Sequence, residues 1–160
     1  MTVKVAINGF GRIGRLVARA VFEEKRDDIE IVAINDPGGN FFPLLKYDSI
    51  HGPAPFTVER DGDDWIVIDG KPIRRFRGRD PKDLPWGDVD VDVLMECTGK
   101  FKDREGAQKH MDMGAKKILI SAPGEDEDLT VVYGVNHDLI QADQKIISNA
   151  SCTTNCLAPV

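Results

Sequence analysis

Cys152 lies in Asn149-Ala150-Ser151-Cys152-Thr153-Thr154-Asn155-Cys156, a thiol set among small polar residues. Ser148 to Ser151 reads as a strand running into a helix start, where free backbone N–H groups favour a nucleophilic sulfur. Only a few per cent of an ordinary thiol is ionised at neutral pH, so such a position and a nearby cation matter to its reactivity. About two turns of helix fit between Cys152 and Val160, and a helix so short is not expected to hold alone. Cys156, one turn further on, reads as a small buried residue, as does Cys97 at the end of the Val91-Glu96 run. Neither C-x-x-C spacing nor a set of four zinc ligands is present in the sequence, so no metal site is expected.

The second group with chemical meaning is Gly9-Phe10-Gly11-Arg12-Ile13-Gly14, placed between an apolar strand pattern, Val3 to Ile7, and a helical one. In that setting the first glycine permits a tight turn, the second lets a diphosphate approach the backbone, and the third lets the helix pack closely on the sheet. The anion would meet the N–H groups of Arg12 and Ile13 at the positive end of the helix dipole. Asp36 ends the next strand pattern, 22 positions beyond Gly14, where a carboxylate can accept from the hydroxyls of an adenosine ribose. Two like charges about 4 Å apart repel by roughly 4 kcal/mol at an effective dielectric of 20, which disfavours a 2′-phosphate. The pattern therefore favours NAD. Weaker use of NADP stays open if the Pro37-Gly38-Gly39 loop moves or a cation is supplied.

A thiol beside a nicotinamide has a definite chemical use. An aldehyde cannot release hydride until a nucleophile has added to its carbon. Addition of a thiolate gives a thiohemiacetal, oxidation by NAD gives a thioester, and phosphate can displace the sulfur to leave an acyl phosphate. Such chemistry needs a base, and the chain offers His51, His110 and His137. His110 falls within a helical pattern and the other two in loop-like contexts, so the base is expected outside this chain.

The elements that must position these groups follow from hydrophobic patterning. Val3-Ile7, Ile29-Ile34, Val89-Met95, Lys117-Ile120 and Lys145-Ser148 are short continuous apolar runs, as expected of strands buried on both faces of a parallel sheet. Gly11 to Lys25 carries Ile13, Leu16, Val17, Ala20 and Val21 on one helical face. Asp103 to Met113 reads as a crossover helix with Asp103 as N-cap and Gly114 just past its end. Phe56-Arg60 and Trp65-Ile68 alternate about Asp61-Gly62-Asp63-Asp64, a hairpin signal, so 56–75 is expected to be an antiparallel insertion. The fold class is α/β, a doubly wound, mostly parallel, Rossmann-like sheet with that insertion. Residues 1–150 would be a dinucleotide-binding domain and 151–160 the start of a catalytic one.

Composition agrees with one globular domain: 160 residues, 41% hydrophobic, 30% charged. A net charge of -6 offers no general basic surface, so neither nucleic acid nor an anionic membrane is an expected partner. Three cysteines form no disulfide framework, and no leader-like or membrane-spanning run appears, which points to the cytoplasm.

Asn8 to Gly14, Lys46-Tyr47-Asp48-Ser49, Glu96-Cys97-Thr98-Gly99, Ser121-Ala122-Pro123-Gly124, Gly134-Val135-Asn136-His137 and above all Ala150 to Pro159 together resemble the glyceraldehyde-3-phosphate dehydrogenase family along the whole chain. The resemblance implies that Asn8, Gly9, Phe10, Gly11, Arg12, Ile13, Asp36, Arg79, Thr98, Gly99 and Ser121 form the NAD site. It implies that Ser151, Cys152 and Thr153 hold the aldehyde and phosphate, with Cys152 as the catalytic nucleophile. It further implies glyceraldehyde 3-phosphate and inorganic phosphate as partners, a glycolytic setting and a cytoplasmic homotetramer. In the family the histidine base, further phosphate-binding residues and a helix that returns to the first domain follow later in the chain. Erythrose-4-phosphate dehydrogenation and a non-catalytic NAD-binding module are the alternatives.

Overall fold

The structure is a computed structural model that describes residues 2–38 and 41–160. Gly39, which the sequence pattern places in the loop after Asp36, lies outside the described residues.

Strand β1 (Val3–Asn8) enters the glycine turn and then helix α1 (Arg12–Glu23). The chain returns as β2 (Ile29–Asn35), followed by the short helix α2 (Phe42–Lys46) and a two-stranded antiparallel pair, β3 (Tyr47–Asp48) and β4 (Gly52–Pro53). Next come β5 (Val58–Asp61), β6 (Trp65–Ile68) and β7 (Lys71–Phe76). Then β8 (Val93–Glu96) leads through helix α3 (Arg104–Asp112) to β9 (Lys117–Ile120). The last elements are β10 (Leu129–Thr130), β11 (Ile146–Ser148) and helix α4 (Cys152–Leu157).

Among the described residues one large sheet has the order β10-β11-β9-β8-β1-β2-β7-β6-β5. It is parallel from β10 to β7, and β6 and β5 run antiparallel. β1 shows why its sequence is continuously apolar: Ile7 packs with Ala18 of α1 on one face, and Ala6 packs with Ala107 of α3 and Leu94 on the other. From β1 the chain moves outward to β2, and it later returns to β8 on the other flank. The carboxyl ends of β1 and β8 therefore meet at the reversal of strand order, where open α/β sheets have their ligand crevice.

The doubly wound sheet and the antiparallel insertion agree with the sequence patterns, with three differences. The expected hairpin pairs from Val58↔Ile68 to Asp61↔Trp65, but β7 then joins β2 in parallel register, so the insertion widens the main sheet. The strand expected from Val89 begins only at Val93, because Trp86–Val89 forms a 3-10 turn and Asp90 takes a left-handed conformation at φ 49°. That turn lets the fully buried Trp86 enter the core. Helix α2 and the β3–β4 pair carry no periodic signal long enough to read. Helix α3 is capped as expected: the Asp103 carboxylate accepts from the Gly106 N–H at 2.8 Å, and Gly114 follows at φ 107°. No helix among the described residues is long and apolar enough to cross a membrane.

Candidate cofactor and thiol site

At the β1–α1 turn, Gly9 has φ 91°, and a Cβ there would stand 2.8 Å from the Thr98 nitrogen. A Cβ on Gly14 would stand 2.2 Å from the Gly9 carbonyl oxygen, so α1 packs against the turn more closely than any side chain permits. Gly11 is different, with nothing within 4 Å of its Cβ position. It is the N-cap of α1, and neither a capping side chain nor an acidic residue in the first turn neutralises that helix end. An open, uncapped helix start with its amides pointing outward fits the diphosphate of a dinucleotide. The Arg12 guanidinium donates to Asp48 at 2.9 Å, which leaves the main chain of Arg12 as its contribution to an anion. The N–H groups of His51 and Ile50, then Arg12, hold the Asp48 carboxyl well below the usual carboxylate range.

Behind the turn lies a buried polar network that the sequence patterns did not reveal. The amide of Asn8 donates to Glu96 Oε2 at 2.5 Å, and its Oδ1 accepts from Asn35 at 2.7 Å. His110, wholly buried on α3, lies 3.2 Å from Glu96 through Nε2. The Trp86 indole N–H donates to His110 Nδ1 at 3.0 Å. Because an indole only donates, Nδ1 accepts and Nε2 carries the ring proton toward Glu96. The other oxygen of Glu96 accepts from the Thr98 N–H at 2.7 Å and from the Thr98 hydroxyl. Glu96 thereby ties the ends of β1 and β8 together on either side of Gly9. Its sequence signal is an acid ending an apolar strand just before Thr98-Gly99.

Asn8 and Phe10, expected at the cofactor, point their side chains inward. Asn8 is consumed by the network, and Phe10 packs edge-on against Phe41 with centroids 4.9 Å apart. They shape the turn rather than present side chains to a ligand. Asp36 is half-buried at the end of β2, where its Oδ1 accepts from the Gly38 N–H at 2.6 Å. Arg79 and Gly99 are exposed on the loops that follow β7 and β8.

The structure brings the thiol to the turn. A cavity of about 360 Å³ is lined by Ile13, Met95, Ser121, Asn149, Ser151 and Cys152, among others. Cys152 is exposed and begins α4, a helix of six residues. Ser151 is its N-cap and accepts from the Thr154 N–H at 3.0 Å. Its hydroxyl also lies 2.9 Å from that of Thr153. Asn155 Nδ2 donates back to Asn149 O at 2.7 Å, and Ser148 Oγ accepts from the N–H groups of Gly124 and Ala150. These bonds hold Ala150, buried with φ 57°, in a left-handed conformation that turns the chain sharply before the thiol. Cys97 is largely buried, which pushes its thiol up to about 11, opposed in part by a hydrogen bond with Ser121. Cys156, expected to be buried, is instead exposed, because no described element covers that side of α4. Among the described residues none of the three histidines lines the Cys152 cavity: His110 is in the network, and His51 and His137 are exposed.

Residues 3–104 match the family described as "Glyceraldehyde 3-phosphate dehydrogenase, NAD binding domain". The chain is 58% identical to glyceraldehyde-3-phosphate dehydrogenase of Zymomonas mobilis, with 100% of this chain and 48% of that protein covered. It is 57% identical to the chromosomal glyceraldehyde-3-phosphate dehydrogenase of Cupriavidus necator, at the same coverage of 100% and 48%. The enzyme of that name from Thermotoga maritima is 51% identical over 98% of this chain and 47% of its own length. The chain thus spans about half the length of the curated relatives it matches.

Proposed function

The chain belongs to the glyceraldehyde-3-phosphate dehydrogenase family and carries its NAD-binding domain, and from that premise we propose that it serves the NAD-dependent, phosphorylating oxidation of glyceraldehyde 3-phosphate with Cys152 as nucleophile. The observation that carries this reading is the cavity shared by Cys152, Ser121 and Ile13 of the glycine turn. The amides of Arg12 and Ile13 take the diphosphate, Asp36 the adenosine ribose, Arg79 the adenine side, and Thr98, Gly99 and Ser121 the remainder of the cofactor. Bound NAD supplies the acceptor for the two electrons that leave the aldehyde carbon.

Cys152 Sγ forms a bond to that carbon, and the resulting C–S bond is the one inorganic phosphate breaks when the acyl group departs. Ser151 and Thr153, which flank Cys152 in the chain and whose hydroxyls lie 2.9 Å apart, position the substrate's polar groups. The full reaction is that of a cytoplasmic homotetramer in glycolysis. Because no described histidine reaches the cavity, this chain alone binds cofactor and presents the thiol without rapid turnover.

The test is calorimetric titration with NAD joined to alkylation by iodoacetamide, read by peptide mass spectrometry. NAD, but not ADP-ribose, should change the rate at Cys152 at least about twofold while leaving Cys156 unchanged. Absence of NAD binding, or NAD binding that leaves both rates alike, would overturn the reading.

A further inference from the structure

The first two turns of helix α1 carry Arg12, Arg15 and Arg19, and each of these guanidinium groups is already engaged. Arg15 donates to the Phe10 carbonyl at 3.0 Å. Arg19 is buried and donates to Glu23 at 2.8 Å and to the Gly52 carbonyl at 3.0 Å. Arg12 donates to Asp48 at 2.9 Å through one nitrogen and at 3.5 Å through another. Asp48 lies in β3 and Gly52 in β4, so two arginines of α1 bind the β3–β4 pair to the helix whose start is open. The Asp48 carboxylate is also placed by its own loop, because Oδ1 accepts from the N–H groups of Ile50 and His51, each at 2.9 Å. Its side chain is 8% exposed, whereas that of Arg12 is 45% exposed. A preset carboxylate therefore holds a solvated guanidinium whose own amide belongs to the helix start. The guanidinium fork fits carboxylate and phosphate oxygens alike, so Asp48 and an arriving diphosphate compete for one cation.

We propose that Asp48 is a positioning residue that limits dinucleotide affinity: by holding the Arg12 guanidinium it keeps that charge off the diphosphate and leaves the grip to main-chain amides. The inference rests on the cofactor reading above, which places the diphosphate on the amides of Arg12 and Ile13. Those amides and the positive end of the helix dipole act on the anion wherever the Arg12 side chain lies. A guanidinium contact in addition would tighten the oxidised and reduced cofactor alike, since both carry the same diphosphate. Uniform tightening does nothing for the chemical step and slows the exchange of one form for the other. The Arg12–Asp48 pair thus keeps the site ready for release.

The test measures NAD, ADP-ribose and adenosine by calorimetry on the wild-type chain, on Asp48→Asn, on Arg12→Gln and on the double variant, at low and at high salt. Asparagine keeps an oxygen for the Ile50 and His51 N–H groups, so the loop should persist, which thermal melting verifies. Asp48→Ser, which also keeps an acceptor there, is the second variant and carries the same expectation should asparagine disturb the fold. At low salt the substitution should tighten NAD and ADP-ribose at least about fivefold, because a contact with the diphosphate replaces the one with the carboxylate. Adenosine, which lacks the diphosphate, should change less than about twofold. Near 1 M salt, where the Debye length is about 3 Å, the gain should fall below about twofold. In the Arg12→Gln background the same substitution should change ADP-ribose affinity less than about twofold. A gain in affinity is an outcome that mere damage to the fold does not produce. NAD binding that is unchanged or weaker in the Asp48 variants overturns the inference and leaves the cofactor reading intact. A gain that survives in the Arg12→Gln background also overturns it, and assigns the effect to the charge of Asp48 itself. Failure of the wild-type chain to bind NAD removes the cofactor reading and this inference with it.

Discussion

Replacing Gly14 and Gly11 separately by alanine should divide the two duties of the glycine turn. At Gly14 the new Cβ would lie 2.2 Å from the Gly9 oxygen and 2.9 Å from Ile7 Cγ2, roughly 1 Å inside van der Waals contact with the oxygen. The obstacle is backbone on one side and a core strand on the other, so α1 must move away from β1. Overpacking of this kind costs about 1–3 kcal/mol, of which up to about 1 kcal/mol is returned by the better helix propensity of alanine. A net loss of about 1–2 kcal/mol lowers Tm by roughly 2–8 °C in a domain of this size. NAD affinity should fall as well, because the turn is displaced. At Gly11 nothing lies within 4 Å and the backbone, at φ -71°, suits alanine. Only the N-cap preference is lost, at most about 1 kcal/mol. Its methyl group would nevertheless fill the open face on which the proposed diphosphate contact with the amides of Arg12 and Ile13 depends. Gly11→Ala should therefore melt within about 4 °C of wild type yet bind NAD at least about tenfold more weakly. Thermal unfolding followed by circular dichroism, with NAD calorimetry on the same samples, measures both quantities. Wild-type NAD affinity in Gly11→Ala, or an unchanged Tm in Gly14→Ala, would refute the reasoning.

Other outcomes follow from the buried groups. Cys97, raised to about 11 by burial, keeps its proton in the folded chain after the unfolded thiol has lost it. Its contribution is complete below about pH 9 and is lost as pH rises toward 11, so Cys97→Ala should flatten the alkaline fall in urea-measured stability by up to about 2–3 kcal/mol. Asp128 shows the opposite sign: Arg104, then the N–H groups of Ile146 and Lys145, lower its carboxyl to about 2. That stability is present above about pH 4 and lost as pH falls toward 2, and Asp128→Asn should remove about 1–2 kcal/mol at pH 7 after allowance for solvent screening, and much less near pH 2. His110→Leu leaves the buried Trp86 N–H without its acceptor and removes one donor from Glu96, which keeps those of Asn8 and Thr98, and should cost about 1–3 kcal/mol by denaturant titration. In native alkylation, Cys152 and Cys156 should react within minutes and Cys97 only on unfolding, as peptide mass spectrometry would show.

Local instructions explain what could be read in advance. The strand, turn and first helix of 3–23 lie within one stretch, and each glycine has its own steric reason there. The caps of α3 and the Asp61–Asp64 hairpin turn are likewise set by neighbours in the chain. By contrast, the parallel joining of β7 to β2 depends on register between residues about forty positions apart, on which local propensity is silent. The same limit applied to Cys156, whose burial depends on what packs against α4 rather than on the residue's type.

The amino-acid sequence by itself determined the glycine turn between the first strand and the first helix, the carboxylate that ends the second strand, and the thiol at the start of a helix, because each is written in contiguous residues. Only the tertiary structure decided that Ile13, Ser121 and Cys152 line one cavity and that Asn8 and His110 meet across Glu96. Those juxtapositions arise from strand order and sheet register, which are collective properties of the packed sheet and leave no mark in any one segment.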